Sequence, residues 1–176
     1  MNTTAQKNEL IFDYSSGSLG EAKSLFASMY LYLNRIAAKK ASVFDNILAQ
    51  NFDEIEGIKP KKLKYTDCIK TPEQLKQNKN PLNNPLSRLI GDFNNIDWKT
   101  IYKGFKEFNI LVNDNDSVKL IKMDPGTSVP LHSHNGKEYI LVLDGSFCDE
   151  YGEYNKGDMQ INDQKIKHNP TACNSK

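Results

Sequence analysis

Apolar positions recur every three or four residues in the first third of the chain, and every second residue in the last half. Between residues 9 and 52 the pattern is helical. Glu9 to Tyr14 forms a short first helix, stopped by Ser15-Ser16-Gly17-Ser18. Ser18-Leu19-Gly20-Glu21 has the Ser-x-x-Glu form of a capping box and predicts the next helix start. Leu19, Ala22, Leu25, Phe26, Met29, Tyr30, Leu33 and Ile36 then make one apolar stripe. A third helical stretch follows, with Val43, Phe44, Ile47 and Leu48 as its buried face. Helices this short bury little surface alone, so they are expected to pack on a partner or on the rest of the chain.

Residues 57–84 lose the periodicity and are rich in Lys, Asn and Pro, which reads as a solvated linker rather than a basic contact surface. Beyond them the period becomes two. Trp98–Tyr102, Phe105–Ile110, Val118–Met123 and Tyr139–Leu143 read as strands. Turns are expected at Asn113–Asp116, at Asp124-Pro125-Gly126 and at Asp144-Gly145. Short strands at close spacing suggest a sandwich or barrel.

Composition narrows the function classes. With 38% hydrophobic and 26% charged residues the chain is globular rather than disordered. A net charge of +1 gives no global attraction to nucleic acid or an anionic membrane. No apolar run approaches the roughly 18–20 residues that cross a bilayer, and the N-terminal segment has no apolar signal core. A cytoplasmic location is expected. Cys68, Cys148 and Cys173 are widely spaced and odd in number, which argues against a disulfide scaffold or a thiolate zinc site.

The chemistry lies in the histidines. The chain has 3, His132, His134 and His168, all near its C-terminal end. His132 and His134 are two residues apart, so on an extended segment their rings share a face. Glu138 follows across Asn135-Gly136, which can bend the chain. His168 would come from a later strand folded alongside. Neutral imidazoles and a carboxylate suit zinc, iron, manganese or nickel. A lone His-x-His pair is often coincidence and a single buried His is usually a satisfied core residue. Tyr139, Phe147 and Tyr154 read as barrel core, Cys148 as a packed strand residue, and Gly126, Gly145 and Gly157 as turn residues.

The spacing Gly126-x5-His132-x-His134-x3-Glu138-x6-Gly145 reproduces the first motif of the cupin family. The second cupin motif, Gly-x5-Pro-x-Gly-x2-His, keeps its spacing in Gly157, Asp163, Lys165 and His168 but loses the Pro and the Gly. The resemblance implies an α+β chain: a short N-terminal helical region followed by an all-β cupin (jelly-roll) barrel. His132, His134, Glu138 and His168 would be its metal ligands.

Within the cupins, residues 85–170 resemble the C-terminal domain of the ChrR-type anti-sigma factors. The resemblance rests on Pro85-Leu86-x-x-Leu89, Trp98, Pro125-Gly126-Thr127-x-x-Pro130, Val142-Leu143-x-Gly145-Ser146-Phe147-x-Asp149-Glu150 and Gly152-x-Tyr154-x-x-Gly157-Asp158. It continues more weakly in Glu9–Tyr14 and Gly17-Ser18-Leu19. It implies three parts: a helical anti-sigma-like region over 1–56, a linker over 57–84 and a cupin metal-binding domain over 85–176. It also implies one divalent metal ion, zinc, an extracytoplasmic-function sigma factor as partner, and a role in the response to oxidative stress. No direct contact with nucleic acid or membrane is implied, and analogy with other cupins allows a homodimer.

The sequence departs from that family in two places. The family's helical domain holds a second zinc through His-x-x-x-Cys-x-x-Cys. Met29, Leu33 and Ile36 stand at those places here, on one expected helix face, where they would fill the site by packing. Eight residues follow His168, so the barrel is expected either to be cut short or to have an incomplete edge. Two other readings stay open: a cupin metalloenzyme of dioxygenase type, with Glu150 and Tyr154 as the acid or base candidates, and a metal-stabilised binding module.

Overall fold

The computed structural model describes residues 4–50, 85–112 and 115–173. The expected linker over 57–84, Cys68 and the first half of the Asn113–Asp116 turn lie outside the described residues. Helices come first, as α1 (Thr4–Ser15), α2 (Glu21–Leu33), α3 (Arg35–Gln50) and α4 (Pro85–Ile90). Strands follow, as β1 (Lys99–Tyr102), β2 (Phe105–Val112), β3 (Ser117–Met123), β4 (Glu138–Leu141), β5 (Ser146–Asp149), β6 (Gly152–Asn155), β7 (Met159–Asn162) and β8 (Thr171–Ala172). Among the described residues no helix is long and apolar enough to cross a membrane.

The strands form three small antiparallel sheets, β1-β2-β3, β4-β7 and β6-β5-β8. Among the described residues they stay three separate sheets, so the expected cupin fold is present without one closed ring of strand hydrogen bonds. Isolated bridges at Ser128↔Thr171 and His132↔His168 join the irregular segment after β3 to the run into β8. β8 pairs with β5 through Phe147↔Ala172 and Cys148↔Thr171, so a strand does follow His168.

Helices and strands share their core. Leu10, Ile11, Ala27, Tyr30, Ala37 and Ala41 from α1–α3 pack with Met159 and Ile161 of β7, and Tyr139 and Leu141 of β4 line the same cluster. Burying each large apolar side chain there contributes about 1.5–3 kcal/mol. A second cluster joins Met29 of α2, Leu86 of α4 and Leu120 of β3, with Trp98, Phe108 and Ile110 around them. The helices therefore pack on the rest of the chain, one of the two expected outcomes.

Several helical details differ from the expectation. The cap of α2 is Gly20, with no side-chain cap bond, because the Ser18 hydroxyl donates to the Asp13 carbonyl instead. The apolar stripe is broken at Asn34, which is extended (φ −113°, ψ 102°). Its backbone N–H closes α2 onto Tyr30 O (2.8 Å), and its Oδ1 accepts the Ala37 N–H (3.0 Å) at the start of α3. One short polar side chain thus ends one helix and begins the next. Met29 is buried and Leu33 half-buried, while Ile36 is 72% exposed on a different helix. The three do not share one helix face and do not fill a common site. On α3 the buried positions are Ala37 and Ala41, with Phe44 half-buried against them, while Val43 and Ile47 face solvent. Pro85–Ile90 is helical, with proline at the first position where its missing N–H costs nothing.

Candidate metal centre

The irregular segment 128–136 and the run into β8 face each other as two strands of a minimal ladder. His132 N–H donates to His168 O and His168 N–H donates to His132 O, each at 3.1 Å. This reciprocal pair sets the two Cα atoms opposite each other and turns both side chains to one side. The His132 and His168 ring centroids are 4.5 Å apart. His134, two residues on, brings its ring centroid to 4.7 Å from that of His132. Glu138 opens β4 and pairs with Asn162 of β7, so its side chain enters from the sheet.

The four side chains converge through their donor atoms. Glu138 Oε2 lies 3.1 Å from His134 Nε2 and 3.2 Å from His168 Nε2. The two Nε2 atoms are 3.3 Å apart. His132 turns its Nδ1–H to the Pro130 carbonyl at 2.8 Å, which leaves its Nε2 lone pair free. One donor atom from each of His132, His134, Glu138 and His168 lies within 4.8 Å of every other. A cation with bonds of about 2.0–2.2 Å sets neighbouring ligand atoms roughly 3.0–3.5 Å apart. The spacing of His134, Glu138 and His168 fits that requirement, and so does the nitrogen and oxygen donor set. His168 is fully buried and the other three are half-buried, so the cluster has a closed floor and an accessible side.

The floor is polar, and sequence reasoning named its main member, Asp149, only within the family resemblance and gave it no role. The Asp149 side chain is wholly buried, with Oδ2 3.4 Å from His168 Nδ1 and 2.6 Å from Gln160 Nε2. Gln160 and Asn162 are buried on β7. Asn162 Nδ2 donates to Glu138 Oε2 (3.0 Å), and Gln160 Nε2 donates to the Tyr154 hydroxyl (3.1 Å). The available signal was Met159-Gln160-Ile161-Asn162, an alternating strand whose polar residues are amides rather than surface charges. Burial, then the charge of Asp149, raises the Tyr154 phenol above its ordinary value, so it stays neutral. Tyr154 also stacks on Phe147, with centroids 4.9 Å apart. Glu150 is exposed and accepts the Asn169 N–H at 2.9 Å. Cys148 is exposed and Cys173 half-buried, both as free thiols. The nearby Cys173 thiol and then burial push Cys148 up, which disfavours a reactive thiolate.

β4 and β7 carry the cluster's position into the fold. In their register Tyr139 pairs with Ile161 and Leu141 with Met159, and all four belong to the core shared with α1–α3. Glu138, Gln160 and Asn162 alternate to the opposite face, toward the histidines. Gly157, just before β7, touches the helices as well. Its carbonyl accepts Asn34 Nδ2 at 3.2 Å, and a Cβ at this position would meet Leu33 O at 3.3 Å. Its φ of 86° is one that glycine adopts without strain.

Comparison with known proteins agrees with this architecture. The family model described as the ChrR cupin-like domain matches residues 86–176. The anti-sigma-E factor ChrR of Cereibacter sphaeroides is 28% identical over 171 residues, covering 93% of this chain and 80% of that protein. The crystal structure of Rhodobacter sphaeroides SigE in complex with the anti-sigma ChrR superposes with a TM-score of 0.77 at 26% identity. That match covers 96% of this chain and 91% of that one, so it includes helices as well as strands. By the match over its strand-rich half, the chain belongs to the ChrR cupin-like domain family.

Proposed function

We propose that this protein is a ChrR-like anti-sigma factor: a cytoplasmic regulator that binds an extracytoplasmic-function sigma factor through its helices and responds to oxidative stress through a zinc site in its cupin half. The reading divides the chain into a helical effector region over 1–56, a linker over 57–84 and a sensing domain over 85–176. The observation that carries it is the two-faced β4–β7 sheet, with the His-Glu cluster on one side and the helical core on the other. The likeness to ChrR along both halves supports the partner.

His132, His134, Glu138 and His168 would hold the ion. Zinc supplies fixed positive charge and no redox chemistry of its own, which suits a closed sensing or structural site better than oxygen activation. The chain's residues do the rest. Glu138 and His168 are anchored to β4, β7 and the bridge to His132, so a damaged ligand shell releases their constraint on the sheet. The sheet's outer face then repacks against α1–α3. Ile36, Val43 and Ile47 of α3 are exposed on one face, at 72%, 55% and 49%. Such a stripe suits docking into a partner's groove and needs no metal of its own.

The test is transcription by RNA polymerase with the sigma factor from the same genome, with and without this protein. Inhibition that an oxidant relieves is the expected result. No effect on transcription before or after oxidant would overturn the reading. Elemental analysis beside it should give about one zinc per chain, lost in His132→Ala; iron or manganese instead would point to a cupin enzyme.

A further inference from the structure

We propose that Asp149 is the positioning residue of the metal centre, holding the His168 proton on Nδ1 so that Nε2 presents a lone pair to the ion. The inference rests on the metal-site reading above. It follows from counting the protons in the buried floor.

Asn162 Nδ2 has two hydrogens and three neighbours: Glu138 Oε2 at 3.0 Å, Gln160 Oε1 at 3.3 Å and His168 Nδ1 at 3.3 Å. The two oxygens take both hydrogens, one through a charge-assisted bond. Gln160 Nε2 likewise gives one hydrogen to Asp149 Oδ2 at 2.6 Å and one to the Tyr154 hydroxyl at 3.1 Å. Turning the Gln160 amide over would set its carbonyl against the Asp149 carboxylate and its amine against Asn162, so its orientation is determined. No donor is then left over for His168 Nδ1 to accept from. The acceptor it faces is Asp149 Oδ2 at 3.4 Å, with both side chains fully buried.

Asp149 has a second fixed point. Its Oδ1 accepts the Tyr151 N–H at 2.8 Å, which pins the carboxylate to the turn between β5 and β6. No lysine or arginine pairs with Asp149 among the described residues. A buried carboxylate in that setting is stabilised by the donors aimed at it, and His168 Nδ1–H is one of them. The opposite tautomer would leave Nδ1 facing the carboxylate lone pairs and would place a proton between His168 Nε2, His134 Nε2 and Glu138 Oε2, where the ion belongs. A carboxylate behind a ligating imidazole fixes both ring orientation and tautomer and raises the basicity of the ligating nitrogen.

The experiment is zinc titration of the full chain against a competing chelator, for wild type, Asp149→Asn and His168→Ala, with nitrogen NMR of the imidazole rings in the zinc-loaded wild type. The expected result is zinc on His168 Nε2 with a slowly exchanging Nδ1–H. Asp149→Asn should bind zinc about 10–100-fold more weakly, with a faster-exchanging Nδ1–H. Zinc on His168 Nδ1 in the wild type overturns the proposal without any variant having to fold. Unchanged affinity in Asp149→Asn, with binding lost in His168→Ala, overturns it while leaving the metal site intact. Unchanged affinity in both variants removes the metal-site reading itself.

Discussion

The two faces of the β4–β7 sheet alternate along the same two strands and differ in character, with Ile140 the one apolar side chain on the more polar face. On one face Tyr139, Leu141, Met159 and Ile161 meet α1–α3 through apolar contacts, including the Phe26–Tyr139 ring pair at 5.6 Å. On the other, Glu138, Gln160 and Asn162 belong to a hydrogen-bonded network in which every side chain has a named partner. The apolar face supplies stability that depends on area and tolerates small shifts. The polar face is intolerant, because a buried donor or acceptor left without its partner costs about 1–3 kcal/mol. On the proposed reading, a change at the His-Glu cluster would concentrate at Glu138 and Asn162 and reach the helices through the strands that carry both faces.

Substitutions in the apolar face and in the helix contacts around it test this division. The largest effect is expected from Met159→Ala, which empties a fully buried position between β7 and the helices. It should lower stability by about 2–5 kcal/mol in denaturant unfolding while leaving a zinc stoichiometry like wild type. Loss of zinc without loss of stability would reverse the assignment of the faces. Gly157→Ala should cost about 1–3 kcal/mol, since it strains a positive φ and crowds Leu33 O. Its unfolding should show the helices loosening from the cupin half. Asn34→Ala removes the Ala37 N–H cap and the bond to Gly157 O, for about 1 kcal/mol. The effect should be read equally by melting and by helix circular dichroism. The smallest effect is alkaline. Burial raises both Tyr30 and Tyr139, helped by Asp158 and by Glu9 respectively. The folded state then keeps its phenol protons longer than the unfolded chain does. Stability is full below the ordinary value of 10.0 and falls as pH rises past it. Melting temperatures across that range, with Tyr139→Phe flattening the decline, check the sign.

How much was legible in the sequence follows the same division. The first four strands and the four convergent side chains were readable because alternation and ligand spacing are local signals: His132, His134 and Glu138 lie within one short run, whereas β5 to β8 were not read as strands. His168 was readable only through its spacing from Gly157. Asp149 was not, because nothing near it in sequence reveals that β5 places its carboxylate beneath His168. The helical region and the strand-rich cupin half were readable, while the division of the strands into three sheets was not, since strand spacing does not say which edges hydrogen-bond. In the helices, periodicity ran through Asn34, whose two capping bonds break α2 from α3 and rotate Ile36 into solvent. On α3 the small residues Ala37 and Ala41 were buried in preference to Val43 and Ile47, because close helix packing selects for size as well as hydropathy.

Hydrogen exchange of α1–α3, measured on zinc-loaded protein and after chelation, tests the transmission between the two faces most directly. The amides of Leu10, Ile11, Ala27 and Ala37, whose side chains lie in the shared core, should lose protection when zinc is removed, and Met159 and Ile161 should lose it with them. Helix protection that stays the same with and without zinc, while Glu138 and Asn162 change, would show that the metal centre and the helices are independent and would contradict the account.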